Sequence, residues 1–321
     1  MSLSKREKRV IAEISADSRQ KQSDIASRMR VSPQTLKYHL DSLRERGVFN
    51  EVVVLDPARF GLITIRVFLS FTSFRDHARE VVIDALHEEE SVVFVQRLRL
   101  GADLLVEYAV PNLSLFNKIH TSFLDKYSNF VKNKHVFPVL VRYDFQRSYL
   151  HPKLKHDSNI LSGDRDVADI SNADRAVLSY LRSEPGASVA QISRGCDLDP
   201  RTVRKTLREC IDDRIIRSFS VDINYELASI SSAYLGIEFS HVTPQEMKRF
   251  VTFVREVDEV VGLTKVIGHT NVFVHIESFS DYTSIIEKLR AAFEFTEYSV
   301  FSASNILKNT YIPASELEFV S

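Results

Sequence analysis

An internal repeat constrains the fold more than any other feature of the sequence. Shifted by 167 positions, residues 3–57 align with residues 170–224 without a gap. The aligned positions are mainly apolar or helix-starting residues: Leu3 with Ile170, Val10 with Val177, Ile11 with Leu178, Ile25 with Ile192, Pro33 with Pro200 and Leu40 with Leu207. A shared apolar skeleton beneath a diverged surface is typical of a duplicated fold, because the core determines the fold. The chain is therefore predicted to contain two related halves.

Each half begins with a pattern typical of three helices. In the first half, apolar residues recur at helical spacing over residues 5–17, 22–29 and 33–46. Ser32 is a helix N-cap followed by a proline, whose missing N–H costs nothing at the first helical position. The β-branched and aromatic residues after each third helix, VFNEVVVLDP and IIRSFSVDIN, predict a small hairpin or wing.

The two third helices end differently. Gly47 follows the first of them and is typical of a helix stop, because glycine adopts the left-handed backbone conformation without steric cost. The second half has Arg214 at the corresponding position. The duplicated helices are therefore expected to share their start but not the residue that ends them.

The second part of each half alternates strand and helix patterns in the order βαββαβ, which predicts a ferredoxin-like unit with helices on one face of its sheet. In the first half the predicted strands are 62–73, 91–100, 102–110 and 135–145, and the predicted helices are 75–87 and 112–131. The sequence thus predicts an α+β chain of five segments: a winged helix-turn-helix over 1–58, a ferredoxin-like domain over 59–150, a polar linker over 151–169, a second winged helix-turn-helix over 170–226 and a second ferredoxin-like domain over 227–321.

Composition narrows the functional classes. With 44% hydrophobic residues, 26% charged residues and a formal net charge of −1, the chain is typical of a globular protein. No apolar run approaches the roughly 20 residues that span a bilayer, and the charged N-terminus lacks the apolar segment of a secretory signal. Cys196 and Cys210 lack the spacing of a zinc site and are expected to be buried thiols. We therefore expect a cytoplasmic protein without metal, cofactor or membrane contact.

Three stretches carry a resemblance to a known family: LSKREKRVIAEISADSRQKQSDIA at 3–26, ISNADRAVLSYLRSEPGASVAQIS at 170–193 and LDPARFGL at 55–62. Together with the third helices, they resemble the Lrp/AsnC family of transcription regulators, and the resemblance covers nearly the whole chain outside the linker. The family usually has one repeat per chain and forms dimers. The resemblance therefore implies a covalent pseudo-dimer that binds double-stranded DNA and self-associates through its ferredoxin-like domains.

The third helices carry the candidate DNA-binding residues. In a helix-turn-helix the N-terminal part of this helix enters the major groove, where Gln pairs with adenine and Arg with guanine. The outward positions are Gln34, Thr35, Lys37, Tyr38 and Arg44 in the first half, and Arg201, Thr202, Arg204, Lys205 and Arg208 in the second. The alternative is that these side chains only solvate a helix face. Their recurrence on the groove side of two helix-turn-helix patterns favours DNA binding by two unlike recognition helices.

The ferredoxin-like domains contain a possible effector site. The resemblance implies a glycine with an aspartate three positions later between the middle strands, where the family often binds an amino acid or another small effector. The second half has Gly268 and Asn271, whereas Asp103 follows Gly101 by only two positions. Both halves depart from the motif, and a plain hairpin turn explains the same residues. Both readings stay open.

Some proteins of this architecture are siroheme decarboxylases, which form the main alternative to a regulator. These enzymes rely on His and Arg around a tetrapyrrole cleft. Seven histidines lie in the predicted sheet domains, without a shared position in the two halves: His77, His87, His120, His135, His241, His269 and His275. Without a His-Arg-rich run, the sequence favours a DNA-binding regulator over an enzyme, and no catalytic residue is assigned.

Overall fold

The structure, a computed structural model, describes residues 3–72, 76–151 and 158–318. The helices are α1 (Lys5–Ala16), α2 (Gln22–Met29), α3 (Pro33–Glu45), α4 (Asp76–Glu88), α5 (Leu113–Lys126), α6 (Asn172–Ser183), α7 (Val189–Cys196), α8 (Pro200–Asp212), α9 (Tyr225–Ala228), α10 (Pro244–Arg255) and α11 (Thr283–Ala292). The strands are β1 (Phe49–Leu55), β2 (Ile63–Phe71), β3 (Val92–Leu98), β4 (Leu104–Val110), β5 (Val131–Phe145), β6 (Ser158–Leu161), β7 (Ile216–Ile223), β8 (Ser231–Glu238), β9 (Val260–Val266), β10 (Val272–Ser278) and β11 (Glu297–Asn309). The predicted α+β class with two related halves is confirmed.

Local sequence explains the boundaries of the helix-turn-helix units. The Ser4 hydroxyl accepts a hydrogen bond from the Glu7 amide, and the Ser4 amide donates one to the Glu7 carboxylate. This reciprocal pair, a capping box, starts α1. Ser32 caps α3 and Asp199 caps α8, each followed by proline. The third-helix residues that face inward are Leu36, Leu40 and Leu43 in α3, and Val203, Thr206 and Cys210 in α8. The repeat aligns Leu207 with Leu40, which faces inward, but Leu207 is only partly buried and Thr206 takes the inner position.

The predicted hairpin after each third helix is wrong. Each half contributes one strand, and β1 pairs with β7 in an antiparallel two-stranded ribbon in which Val53 lies opposite Phe219. The ribbon connects the two halves: β1 contacts α3 of its own half and α6 of the other, and β7 contacts α8 of its own half and α1 of the other. Each strand satisfies the backbone hydrogen bonds of the other, so neither needs a second strand from its own half.

The two ferredoxin-like domains form one closed sheet. The order β5-β2-β4-β3 of the first domain continues through β11-β8-β10-β9 of the second, and β9 pairs with β5. The edges of both domains are thereby joined into an eight-stranded antiparallel barrel, with β6 added beside β5. The pairing expected between protomers of a dimer is therefore made inside this chain.

The segment predicted as a linker contributes to the fold. Ser158–Leu161 pairs with β5, and the Ser162 amide donates to the buried carboxylate of Asp56 at 2.8 Å. The carboxylate of Asp56 also lies 3.2 Å from Arg165. This part of the segment is fixed between the ribbon and the barrel. Among the described residues, no helix is both long and apolar enough to span a membrane.

Candidate functional site

A cavity of about 380 Å³ lies where the ribbon, both helix-turn-helix units and the barrel meet. Its walls come from the end of α1, from β7 on the ribbon, from Ile211 of α8 and from the barrel strands β5, β8, β10 and β11. We call it the central cavity. Its volume lies in the range of small-molecule sites, roughly 300–1,000 Å³. No cluster of three or more metal-binding side chains occurs among the described residues.

A buried carboxylate, Glu277, ties the units around this cavity together. It is completely buried and accepts hydrogen bonds from Arg147 at 2.8 Å, from the Tyr149 hydroxyl at 2.7 Å and from the Tyr225 hydroxyl at 2.9 Å. Arg147 also donates to Ser15 of α1 at 3.3 Å and to the Val221 carbonyl of β7 at 3.1 Å. Burial would raise the pKa of Glu277, but the positive charge of Arg147 and these hydrogen bonds hold it below its usual value.

His275 lies in the wall of the central cavity. Its ring stacks on Tyr234 with centroids 4.4 Å apart, and its Nε2 lies 3.0 Å from the Ser232 hydroxyl. Burial lowers the pKa of His275 to about 3, so the ring is neutral near pH 7. The sequence reading assigned this histidine no role. The one available signal was a polar residue among inward-facing positions of the apolar strand VFVHIES.

The charged groups of the cavity wall are unequally paired. Arg142 is held by Asp144 at 2.7 Å, and Arg147 is held by Glu277. Arg217 makes no hydrogen bond or ion pair with any described residue, and its buried Nε has no partner. Asp222 accepts only from the Asn309 amide, at 3.0 and 3.1 Å, and burial raises its pKa to about 6. The central cavity thus offers one guanidinium without a direct contact among the described residues, on which the charge of Asp56 acts, and one carboxyl group whose pKa is raised to about 6.

The corresponding place in the first half is filled. Opposite each other on β2 and β4 stand Arg66 and Glu107, as Tyr234 and His275 stand on β8 and β10. Arg66 and Glu107 form a buried ion pair at 2.6 Å, and only about 20 Å³ of space remains beside them. Burial would raise the pKa of Glu107, but Arg66 and Arg142 lower it. Little space therefore remains at this place in the first half, although residues of both halves line the central cavity.

The predicted DNA-binding side chains lie at the surface of the two third helices. Most are exposed: Gln34, Lys37, Tyr38 and Arg44 on α3, and Arg201, Arg204, Lys205 and Arg208 on α8. Thr35 and Thr202 are half-buried. Tyr38 is 70% exposed, and its ring contacts the neighbouring His39 edge-on with centroids 5.6 Å apart. The arrangement leaves both helices accessible to a groove.

Two of these cations are already paired. Arg44 contacts Glu51 of the ribbon at 2.6 Å, and Lys205 lies 3.7 Å from Glu209 on its own helix. Arg201, Arg204 and Arg208 make no ion pair within the described residues. The second recognition helix therefore presents more free positive charge than the first, as its sequence indicated.

The predicted effector residues shape turns at the barrel. Asp103 accepts from the Phe71 amide at 2.8 Å, and Asn271 accepts from the Phe239 amide at 2.7 Å, so both perform the same local task. A Cβ on Gly101 would come within 2.6 Å of Phe301, and one on Gly268 within 2.8 Å of Phe137. None of these four residues lines the central cavity. An effector site here remains a prediction.

Several of the other described histidines and the two cysteines pack against neighbouring side chains. His120 is buried against Tyr108 and Phe116, and burial lowers its pKa. The rings of His135 and His269 lie 5.2 Å apart beside Phe137. Both cysteines are reduced, and burial raises the pKa of Cys210 to about 12, so its thiol is unreactive. The side chain of His77 lies outside the described residues.

Known proteins resemble this chain at two levels. A family model described as winged helix-turn-helix DNA-binding matches residues 3–49 and 170–217. The crystal structure of the siroheme decarboxylase NirDL is similar over 97% of both chains, with 11% identity and a TM-score of 0.57. Its co-complex with an iron-uroporphyrin III analogue gives 12% identity and a TM-score of 0.57 over 98% of this chain and 96% of that one.

An AsnC family transcriptional regulator from Agrobacterium tumefaciens covers 44% of this chain and 94% of its own, with 19% identity and a TM-score of 0.40, which is too low to carry an inference. No curated protein matches the sequence significantly. The tandem arrangement of winged helix-turn-helix and ferredoxin-like domains implied by the Lrp/AsnC resemblance is confirmed. Over nearly its full length, this chain has the same fold as the NirDL structures.

Proposed function

We propose that this chain binds a carboxylate-bearing tetrapyrrole of the siroheme type in the central cavity and decarboxylates it. The observation that carries the proposal is the cavity of about 380 Å³ with His275 and Arg217 in its wall, at the junction of all structural units. The fold shared with a siroheme decarboxylase supports it. Since that likeness concerns the fold alone, the chemistry has to come from the cavity. The sequence favoured a DNA-binding regulator over an enzyme, and this proposal favours the enzyme instead.

The cavity supplies the groups that such a reaction needs. Loss of CO2 from an acetate side chain breaks one C–C bond and leaves a carbon that takes up one proton, so no oxidant or reductant is consumed. Arg217 is suited to hold a carboxylate, because a guanidinium forms paired, charge-assisted hydrogen bonds with it. Asp222, with its pKa raised to about 6, retains a proton in mildly acidic solution and is suited to deliver it.

The dimensions and charges set conditions on the substrate. A complete tetrapyrrole is larger than the cavity, which is partly open to solvent, so part of the macrocycle would lie outside it or the ribbon would shift. Arg142 and Arg147 add positive charge, but their hydrogen bonds to Asp144 and Glu277 are already made. We therefore expect one substrate carboxylate, bound by Arg217, to fix the orientation.

Turnover tests this function directly. The intact chain is incubated anaerobically with siroheme, and the product is analysed by mass spectrometry for the loss of CO2. We expect loss of CO2 with the unchanged chain, at least a tenfold lower rate with Arg217→Gln and an unchanged rate with Arg208→Gln, an exposed position on α8. Absence of CO2 loss with the unchanged, folded chain would refute the proposal.

A second candidate function is binding of double-stranded DNA by α3 and α8. The specific observation in its favour is the exposed, unpaired set Arg201, Arg204 and Arg208 on a helix whose segment matches a DNA-binding family model. Phosphate contacts by such cations give affinity, and contacts with base edges give specificity. None of the candidate DNA-binding side chains lines the central cavity, so this function is compatible with the enzymatic one.

A gel shift with DNA from the chain's own promoter tests this candidate. Binding that weakens with salt and survives a large excess of unrelated DNA would support a sequence-specific protein. A complex that unrelated DNA displaces completely would reduce the helices to a non-specific phosphate contact. Absence of any complex at low salt would refute DNA binding.

A further inference from the structure

A second cavity, of about 230 Å³, lies across the ribbon from the central cavity. It is bounded by the end of α6, by β1 and β7 of the ribbon, by Asn305–Asn309 of β11 and by Thr310, which follows that strand. The internal repeat relates the two cavities, because Arg182 stands 167 positions after Ser15 and Arg217 stands 167 positions after Asn50. Ser15 and Arg217 line the central cavity, whereas Asn50 and Arg182 line the second one. At these repeat-related positions, each cavity has one arginine, Arg217 in the central cavity and Arg182 in the second one, on different elements.

Arg182 is a cation without a direct partner among the described residues, although the negative charge of Glu90 acts on it. It makes no hydrogen bond or ion pair with any described residue, and its buried Nε has no partner. Burial lowers its pKa. A buried donor without an acceptor is costly, and such groups in folded proteins usually have a partner, a water or a ligand.

A second cation adds to the positive potential. The Lys308 ammonium donates to the carbonyls of His87 at 2.9 Å and Glu89 at 3.0 Å near the end of α4, and so keeps its charge. Burial and the neighbouring charge of Arg182 lower the pKa of Lys308 to about 8. The mutual repulsion of these two groups is what an anion between them would relieve.

The acidic groups of the second cavity are already engaged. Glu51 is bound by Arg44 at 2.6 Å. Asp222 accepts both hydrogen bonds of the Asn309 amide, and the charges of Arg147 and Arg142 act on it from the central cavity, although burial raises its pKa to about 6. Neither carboxylate contacts Arg182, so the guanidinium remains available to a ligand.

We propose that the second cavity is a binding site for a small oxyanion, a phosphate or a carboxylate, with Arg182 as its principal ligand. A planar guanidinium presents paired donors that match the oxygens of either group. The volume of about 230 Å³ suits a small anion better than a large cofactor. The proposal rests on Arg182 and its surroundings, independently of turnover in the central cavity.

Isothermal titration of the intact chain with inorganic phosphate, and separately with succinate, tests this site. We expect saturable binding of at least one of the two anions, weakened about tenfold or more by Arg182→Gln, since a charge-assisted contact is lost. Arg194→Gln removes the same charge from an exposed position of α7 and should leave the affinity unchanged. Which of the two anions binds identifies the chemistry of the ligand.

Arg182→Lys is a second variant that keeps the test decisive if Arg182→Gln does not fold. This variant keeps the charge but loses the paired donors, so we expect it to fold and to bind with intermediate affinity. Far-ultraviolet circular dichroism of each variant confirms the fold. The proposal is overturned if neither anion binds the unchanged chain, or if Arg182→Gln and Arg194→Gln bind as tightly as the unchanged chain.

Discussion

Replacing Glu277 with glutamine is expected to weaken the junction between the barrel and both helix-turn-helix units. Glu277 is completely buried and receives hydrogen bonds from Arg147, Tyr149 and Tyr225. Arg147 continues the contact to Ser15 and to the ribbon. The substitution keeps the shape and one acceptor but removes the carboxylate charge that forms the ion pair with Arg147.

The expected loss of stability follows from the burial of this ion pair. Removing one partner of a buried ion pair costs about 3–5 kcal/mol, because the other charge remains buried. Glutamine still accepts from a tyrosine hydroxyl, so we expect a loss near about 3 kcal/mol in the free energy of unfolding. The pKa of Glu277 is held below its ordinary 4.5, so its stabilising charge is present above that pH and is lost as the pH falls through the folded-state pKa. The difference between the two proteins should therefore shrink in acid.

Urea unfolding followed by tyrosine fluorescence measures this difference, since the chain has 11 tyrosines and no tryptophan. Glu80→Gln is the matched control: Glu80 pairs with Arg97 at 2.8 Å, but the two side chains are 56% and 46% exposed. A surface pair contributes about 0–1 kcal/mol, so this control should change little. If Glu277→Gln unfolds within about 1 kcal/mol of the unchanged chain, the assignment of the junction to this buried pair is incorrect.

Three further outcomes are expected. Arg214 adopts a left-handed conformation with φ of 58° where the first half has Gly47 at 64°, so Arg214→Gly should raise the free energy of unfolding by about 0.5–1 kcal/mol and Gly47→Arg should lower it, both measured in urea. Burial raises the pKa of Asp222 from 3.8 to about 6, so its protonated form favours folding. The free energy of unfolding should therefore fall, by at most about 3 kcal/mol, as the pH rises from about 4 to 6. Asp222→Asn should remove this fall, as measured by thermal unfolding across that pH range. Arg204→Ala should weaken a gel shift most at sequences that contain one particular half-site, whereas a uniform loss would reduce this residue to a phosphate contact.

The periodicity of the sequence was sufficient for the helices and for the division into two halves. The boundaries of α2 agree with the predicted range of 22–29, and α3 begins at Pro33 as its N-cap indicated. These features depend on local interactions, on capping and on one apolar face, all of which short stretches of sequence contain. The order βαββαβ of strands and helices along the chain in each ferredoxin-like domain could be predicted for the same reason.

Contacts between the two halves could not be predicted from the periodicity of the sequence. The β-branched residues of β1 indicate a strand, but nothing in them specifies β7 as the partner instead of a strand in the same half. Closure of the barrel depends on pairing between β9 and β5, residues that are far apart in the sequence. The central cavity is a product of both pairings, and His275 acquires its position only through them.

An absorption titration with siroheme tests the central claim, that the central cavity is a ligand site, most directly. We predict saturable binding of one siroheme per chain with a shift of its Soret band, weakened at least tenfold by Arg217→Gln and unchanged by Arg182→Gln, which alters only the second cavity. A spectrum that stays that of free siroheme, or equal affinity for the unchanged chain and Arg217→Gln, would contradict the account.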